Sequence, residues 1–174
     1  MTIRRSDQVV SRERLELLAG QLLDASALCA IATVAPRGRA HVNTAYFAWS
    51  PRFELVWISD PRAGHSGNVR GRATAAVAVY DSTQAWDGSD RGIQLFGTAA
   101  ELAGPAATDA ARVYARRFPD YRESELSGYR IYLFRPRRIK LFDEQALGAG
   151  VFVTASLRGQ LLTWERTEIY GGER

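Results

Sequence analysis

Three short runs joined by tight-turn chemistry constrain this chain more than any other feature. Residues 27–34 are apolar and of strand length, Pro36-Arg37-Gly38-Arg39 follows as a turn, and residues 40–49 lead back. Ser50-Pro51-Arg52 turns the chain once more into residues 53–59, where Phe53, Leu55 and Trp57 alternate with Glu54, Val56 and Ile58. Connections this short join antiparallel neighbours, because a parallel pair needs a crossover of a dozen or more residues. Residues 27–59 are therefore expected to form a three-stranded antiparallel meander.

The flanking pattern extends this. Residues 10–23 place Leu15, Leu18 and Leu22 on one helical face, with Arg12, Glu13 and Gln21 away from it, and Ser11 is positioned to cap the helix. Asp60-Pro61 ends the third strand. Aspartate is a favoured N-cap and proline a favoured first helical residue, so a short helix is predicted over 62–72. Strands are predicted at 74–80 and 92–102, with a polar loop at 81–90 that carries Trp86, Asp87 and Gly88. A helix over 106–118 has Val113 and Tyr114 among its inward candidates. Residues 129–142 read as one long strand or as two, interrupted at Pro136. Another strand-like run covers 151–157, followed by an aromatic tail with Trp164 and Tyr170. No repeat or low-complexity linker divides the chain. The reading is a single domain over 1–174, with an N-terminal helix at about 10–24 and a C-terminal extension at about 148–174. Many short strands and few helices imply a mainly β fold, a small closed barrel with helices at its rim.

Composition excludes several classes. A chain of 174 residues, 46% hydrophobic and 24% charged, buries enough surface to fold without a metal or disulfide staple. The lone cysteine, Cys29, lies inside the first apolar run and reads as a small buried hydrophobe, and a single cysteine suits a reducing compartment. Arg4 and Arg5 near the start have no apolar segment behind them, so no export signal is expected, and no run approaches the ~20 residues that span a bilayer. A cytoplasmic location without membrane partners follows as the expectation. The net charge is +4 and Lys140 is the only lysine. The arginines are scattered apart from Arg135-Pro136-Arg137-Arg138, which favours a small anionic ligand such as a phosphate over a nucleic acid.

The common catalytic signatures are missing. There is no Gly-x-Gly-x-x-Gly, no Walker-type phosphate loop and no Gly-x-Ser-x-Gly elbow. His41 and His65 are the only histidines, and Cys29 lies in a separate strand, so a protein-only zinc site is not expected and no catalytic residue is assigned. One segment does concentrate anion-binding chemistry. Residues 57–68 run from a strand into a helix N-terminus, where free N–H groups and the helix dipole favour an anion. Arg62, His65 and Ser66 are spaced i, i+3, i+4 and would share one face, which suits a phosphate monoester; a solvated helix with an ordinary cap is the plain alternative. Asn43 and Thr44 interrupt an otherwise apolar strand, and either face a ligand with hydrogen-bonding edges or lie on the solvent side. Gln94 is a strand amide of undetermined face. Trp86 either covers a planar ring or packs within its loop.

Those segments, in order, carry a resemblance. His41-Val42-Asn43-Thr44-Ala45, the strand ending Ile58-Ser59, His65 with Asn68, and Arg72-Ala73-Thr74-Ala75-Ala76-Val77-Ala78-Val79 resemble the pyridoxamine-phosphate-oxidase-like FMN-binding family over about residues 10–142. The resemblance implies a six-stranded antiparallel Greek-key split β-barrel that works as a homodimer with FMN at the interface. It places Asn43, Thr44, Ala45 and Tyr46 under the isoalloxazine ring, with Ile58 and Ser59 against the ring and ribityl chain. It puts His65 where the family has a phosphate-binding lysine, with Arg62, Ser66 and Asn68 nearby, and Gln94 near a flavin-facing glutamine. Gly64-His65 stand where the oxidases have an Arg-Lys pair, and Gln94 is offset by two residues from the family glutamine, which keeps it on the same strand face. Trp164-Glu165-Arg166 does not reproduce the oxidases' pyridoxal-phosphate motif, so a general flavin-dependent oxidoreductase acting on a small molecule is implied rather than vitamin B6 oxidation. Two alternatives remain: an F420 (deazaflavin) reductase on the same fold, and a non-catalytic flavin or haem binder with His41 or His65 as axial ligand.

Overall fold

Alternation along the strands decides which side chains face the interior. In the computed structural model, which describes residues 2–122, 124 and 128–171, β2 (Leu28–Val34) buries Cys29, Ile31 and Thr33 and turns the intervening residues outward. A 3-10 turn at Pro36–Gly38 then returns the chain into β3 (Ala40–Trp49), with Ala35 N–H donating to Arg39 C=O at 2.8 Å. Antiparallel register sets Thr33 opposite His41, Ile31 opposite Asn43 and Cys29 opposite Ala45. Phe53, in the left-handed region at φ 59°, closes the next turn with its N–H on Ser50 C=O at 2.8 Å, so β4 (Leu55–Ser59) begins two residues later than the sequence pattern suggests. The expected meander is formed.

The remaining elements follow in chain order. β1 (Thr2–Ser6) and α1 (Arg12–Asp24) precede the meander. After it come α2 (Gly64–Gly71), β5 (Thr74–Tyr80), β6 (Arg91–Leu102) and α3 (Gly104–Arg117). The chain ends with β7 (Arg130–Asp143), the single turn α4 (Glu144–Leu147), β8 (Val151–Arg158) and β9 (Leu161–Gly171). The sheet runs β1-β9-β8-β7-β4-β3-β2-β5-β6, and β6 pairs back onto β7. Strands β2 to β7 thus close a six-stranded antiparallel barrel, the expected split-barrel class, and β1, β8 and β9 extend its sheet. β7 is one strand, not two. Pro136 passes where Gly97 of β6 has no side chain, and a Cβ on Gly97 would run into the Arg135 carbonyl oxygen and lie 2.8 Å from Pro136 Cα.

By contacts the chain divides into two compact units: Met1–Ser26, Ala78–Leu95 and Arg137–Arg174 form one, Ala27–Val77 and Phe96–Pro136 the other. Residues 1 and 172–174 of the domain expected over 1–174 lie outside the described residues. In the first unit α1 buries Leu15, Leu18, Ala19, Leu22 and Leu23, an i, i+3, i+4, i+7, i+8 stripe, and its N-cap Ser11 accepts from Arg14 N–H at 3.3 Å. β9 pairs with β8 on one edge and β1 on the other, so the aromatic tail and the N-terminal residues are both strands, which the sequence did not announce. Lys140 of β7 sits against Phe152 and Tyr170, its Nζ 4.7 and 4.9 Å from the ring centroids, and donates to the Tyr170 hydroxyl at 2.8 Å.

In the second unit α3 lies across β3 and β4, and Ala110 and Tyr114 pack with Ala48, Val56 and Leu133. The opposite strand faces bury Phe47, Trp57, Tyr132 and Phe134, with the Trp57 and Tyr132 rings stacked at 5.4 Å. Helix α2 packs on β2 and β3.

Candidate phosphate site at the start of α2

The segment from Ser59 to Gly71 departs from its sequence reading in one respect that shapes the site. Helix α2 starts at Gly64 with Ala63 as N-cap, and no side chain caps it. Asp60 does not cap the helix. Its carboxylate accepts from Arg62 N–H at 2.8 Å, from Arg62 Nε at 3.1 Å and from the terminal guanidinium nitrogen at 2.8 Å. That charge-assisted clamp holds the Asp60 carboxyl down at about 2. Arg62 therefore precedes the helix, exposed and already paired, and does not share a helical face with His65 and Ser66. The first intrahelical bond is Gly67 N–H to Ala63 C=O at 3.1 Å, which leaves the N–H groups of Gly64, His65 and Ser66 at the helix mouth.

Around that mouth the predicted residues take different parts. Ser66 is fully buried and its hydroxyl donates to Asp60 C=O at 2.8 Å. Asn68 Nδ2 donates to Thr33 Oγ1 at 3.0 Å, tying α2 to β2. Both side chains hold the segment in place. His65 differs: it is 6% exposed, its ring edges onto Tyr132 at 6.2 Å, and its Nε2 is buried without a hydrogen-bond partner. Burial first, and His41 second, hold its pKa below 6.5, so the imidazole is neutral at physiological pH.

On β3, successive side chains take opposite faces. Asn43 turns to the Ile31 side, where its Oδ1 is buried without a partner, while Thr44 and Tyr46 are exposed. Ala45 is half-buried opposite Cys29. Ile58 packs with the α3 cluster, and Ser59 is half-buried at the end of β4, opposite Arg130. Gln94 is exposed on β6 in the other unit, and Trp86 is fully exposed in its loop.

Two participants were not placed at the phosphate by the sequence reading, which offered His41 only as an alternative haem ligand. His41 lies across the first residue of α2: a Cβ on Gly64 would stand 3.1 Å from His41 Cε1 and 3.5 Å from Nε2. The signal was available, since His41 and Asn43 share a strand face and a glycine follows at a helix start. The second is Glu101, which binds Arg70 at 2.8 Å and accepts from the Tyr132 hydroxyl at 3.1 Å, bracing the ring beneath His65. Its sequence neighbourhood carried no signal, because the partners come from three separate elements.

Among the described residues no cluster of three or more His, Cys, Asp or Glu is placed to hold a metal ion, and no helix is long and apolar enough to cross a membrane. The arrangement suits an anion: uncapped helical N–H groups, one neutral buried imidazole with a free nitrogen, and a second imidazole alongside.

The sequence model of one family, described as pyridoxamine 5'-phosphate oxidase, matches residues 19–143. No curated protein matches the sequence. Among solved structures, a heme binding protein from Mycobacterium smegmatis is similar with TM-score 0.65 and 17% identity, over 84% of this chain and 60% of that one. The chain thus spans about 60% of that protein's length. The heme storage protein HutZ from Vibrio cholerae gives TM-score 0.60 and 17% identity, over 72% of this chain and 91% of its own. An F420 reductase gives 0.53 and 20% identity, over 68% of this chain and 93% of its own.

Proposed function

Because this chain belongs to the pyridoxamine 5'-phosphate oxidase family, we propose that it binds FMN by its phosphate at the start of α2 and acts as a flavin-dependent oxidoreductase on a small molecule. The observation that carries the reading is the unpartnered Nε2 of buried His65, set behind an uncapped helix N-terminus. A buried polar atom without a partner costs on the order of 1–3 kcal/mol, and a phosphate oxygen would remove that cost. Asn43 Oδ1 is a second such atom on the same unit, and a flavin edge bearing N–H groups would satisfy it. The residues present fit a flavin phosphate. When bound, FMN supplies hydride and one-electron chemistry, and no side chain has to act as general base. The protein's share is to bind and orient. The Gly64, His65 and Ser66 N–H groups would hold phosphate oxygens, His65 would take up a proton and donate it from Nε2, and His41 would add a second imidazole. Arg62 would have to give up its two-pronged contact with Asp60 to reach the phosphate.

The same anion site would serve the phosphate of F420. Haem is the reading that one observation favours separately: a neutral imidazole with a free nitrogen is also what an iron ligand requires. We further take the working form to be a homodimer joined through the exposed face of β3, where Val42 and Thr44 share a face with Tyr46 and Tyr46 lies opposite Leu28 of β2. Nucleic acid and membrane are not among the partners of this reading, and the cytoplasm is its compartment.

The test is an absorption spectrum of the purified protein, repeated on the chromophore released by denaturation. Oxidised-flavin bands and released FMN, both lost in His65→Ala, would support the reading. A protein that neither carries nor takes up FMN would overturn it. A deazaflavin spectrum would assign F420, and a Soret band abolished by His41→Ala or His65→Ala would assign haem.

A further inference from the structure

A recess borders the later residues of α2. It encloses about 560 Å³ between the β2–β3 turn and the helix, and its walls include Pro36, Arg37, Gly67, Asn68, Gly71 and Arg72. That volume falls in the range of small-molecule pockets and exceeds what an inorganic ion needs. No aspartate or glutamate lines it. Neither Arg37 nor Arg72 has a carboxylate within ion-pairing distance among the described residues, although Arg62, Arg70, Arg130 and Arg135 of the same unit are all paired.

Shape and backbone add to charge. Gly67 and Gly71, one turn apart on α2, present bare main chain to the recess, and a Cβ built on either meets nothing within 4 Å. Two adjacent glycines make a flat wall that a planar ring can approach closely, with Pro36 on the turn side. Arg37 sits at φ 64°, a conformation that a non-glycine residue rarely adopts and that surrounding structure must enforce. The carboxy-terminal end of α2 disfavours an anion here, so the two unpaired guanidinium groups must outweigh it.

We propose that this recess binds a nucleoside monophosphate, its base flat against the Gly67–Gly71 wall and its phosphate held by Arg37 and Arg72. Its lining omits Arg62, His65 and Ser66, so the proposal stands whether or not the His65 site takes FMN. Guanidinium groups pair with phosphate in a planar, two-pronged fashion, and a ring on main chain adds contact without a specificity-determining side chain.

The experiment is calorimetric titration of AMP into the protein as purified, with whatever chromophore it carries, and into two variants. Arg37→Ala should weaken AMP about tenfold or more, the effect of one lost charge-assisted bond. Gly71→Leu should abolish binding by filling the recess, while its melting temperature stays at or above that of the parent, since leucine is the better helix former and the space is open. Inorganic phosphate at the same concentration should leave AMP bound. The proposal is overturned if AMP gives no heat at millimolar concentration, if either variant binds it as the parent does, if phosphate alone displaces it, or if FMN competes with it. The last result would merge the recess with the flavin site and leave the flavin reading intact. A colourless protein that still binds AMP would do the converse.

Discussion

At the scale of single residues, two positions carry consequences of opposite kind. His65 is neutral because it is buried, yet a phosphate needs a donor at Nε2. A bound dianion would raise the His65 pKa from its depressed value, so binding takes up a proton between the two values. Flavin affinity should therefore tighten as pH falls through the bound-state pKa, and His65→Gln should flatten that dependence in a fluorescence titration. The ligand-free protein shows the reverse sign. Its His65 pKa lies below 6.5, so the unfolded chain protonates first; stability is constant above 6.5 and declines as pH falls from there toward the folded value. Glycines give the second contrast. Gly97→Ala should destabilise the fold by about 1–3 kcal/mol, because its Cβ meets main chain that cannot move aside. Gly67→Ala has open space and should be neutral or stabilising by up to ~1 kcal/mol, and paired denaturation curves would measure both.

At the scale of elements, α1 was legible in full because its apolar stripe and its cap agree. Ser11→Ala should cost about 1 kcal/mol, read as a lower denaturation midpoint at unchanged slope. The meander was equally legible, since its turns fix the pairing. What failed were the edges and one start. Asp60-Pro61 carries the lettering of a helix onset, but Asp60 spends its oxygens on Arg62, and the helix begins four residues after Asp60. β1 was invisible because Thr2-Ile3-Arg4-Arg5-Ser6 has neither apolar periodicity nor turn signals; it is a strand only because β9 offers it an edge. The same limit applied to the site. Period-2 alternation could separate Asn43 from Thr44, but only the fold brings His41 across Gly64, from a strand and a helix more than twenty residues apart.

At the scale of the whole molecule, the barrel class followed from counting short strands, whereas the closing pair β6–β7 depends on one glycine beside one proline. The proposed homodimer belongs here too. Val42 is 63% exposed and Tyr46 57%, and both lie on the outward face of β3 that the proposed interface would cover. Val42→Arg should give monomers in sedimentation velocity while leaving the circular dichroism spectrum unchanged, and should release any flavin held at the shared interface.

Lys140 has a practical consequence of its own. It is the chain's single lysine, and its amine is already engaged by Tyr170, the Phe152 ring and the Glu168 carboxylate. Reagents that acylate side-chain amines thus find one target, engaged and mostly covered in the folded state and released on unfolding. Its acylation rate would report opening of the β7–β8–β9 sheet as a built-in, site-specific clock.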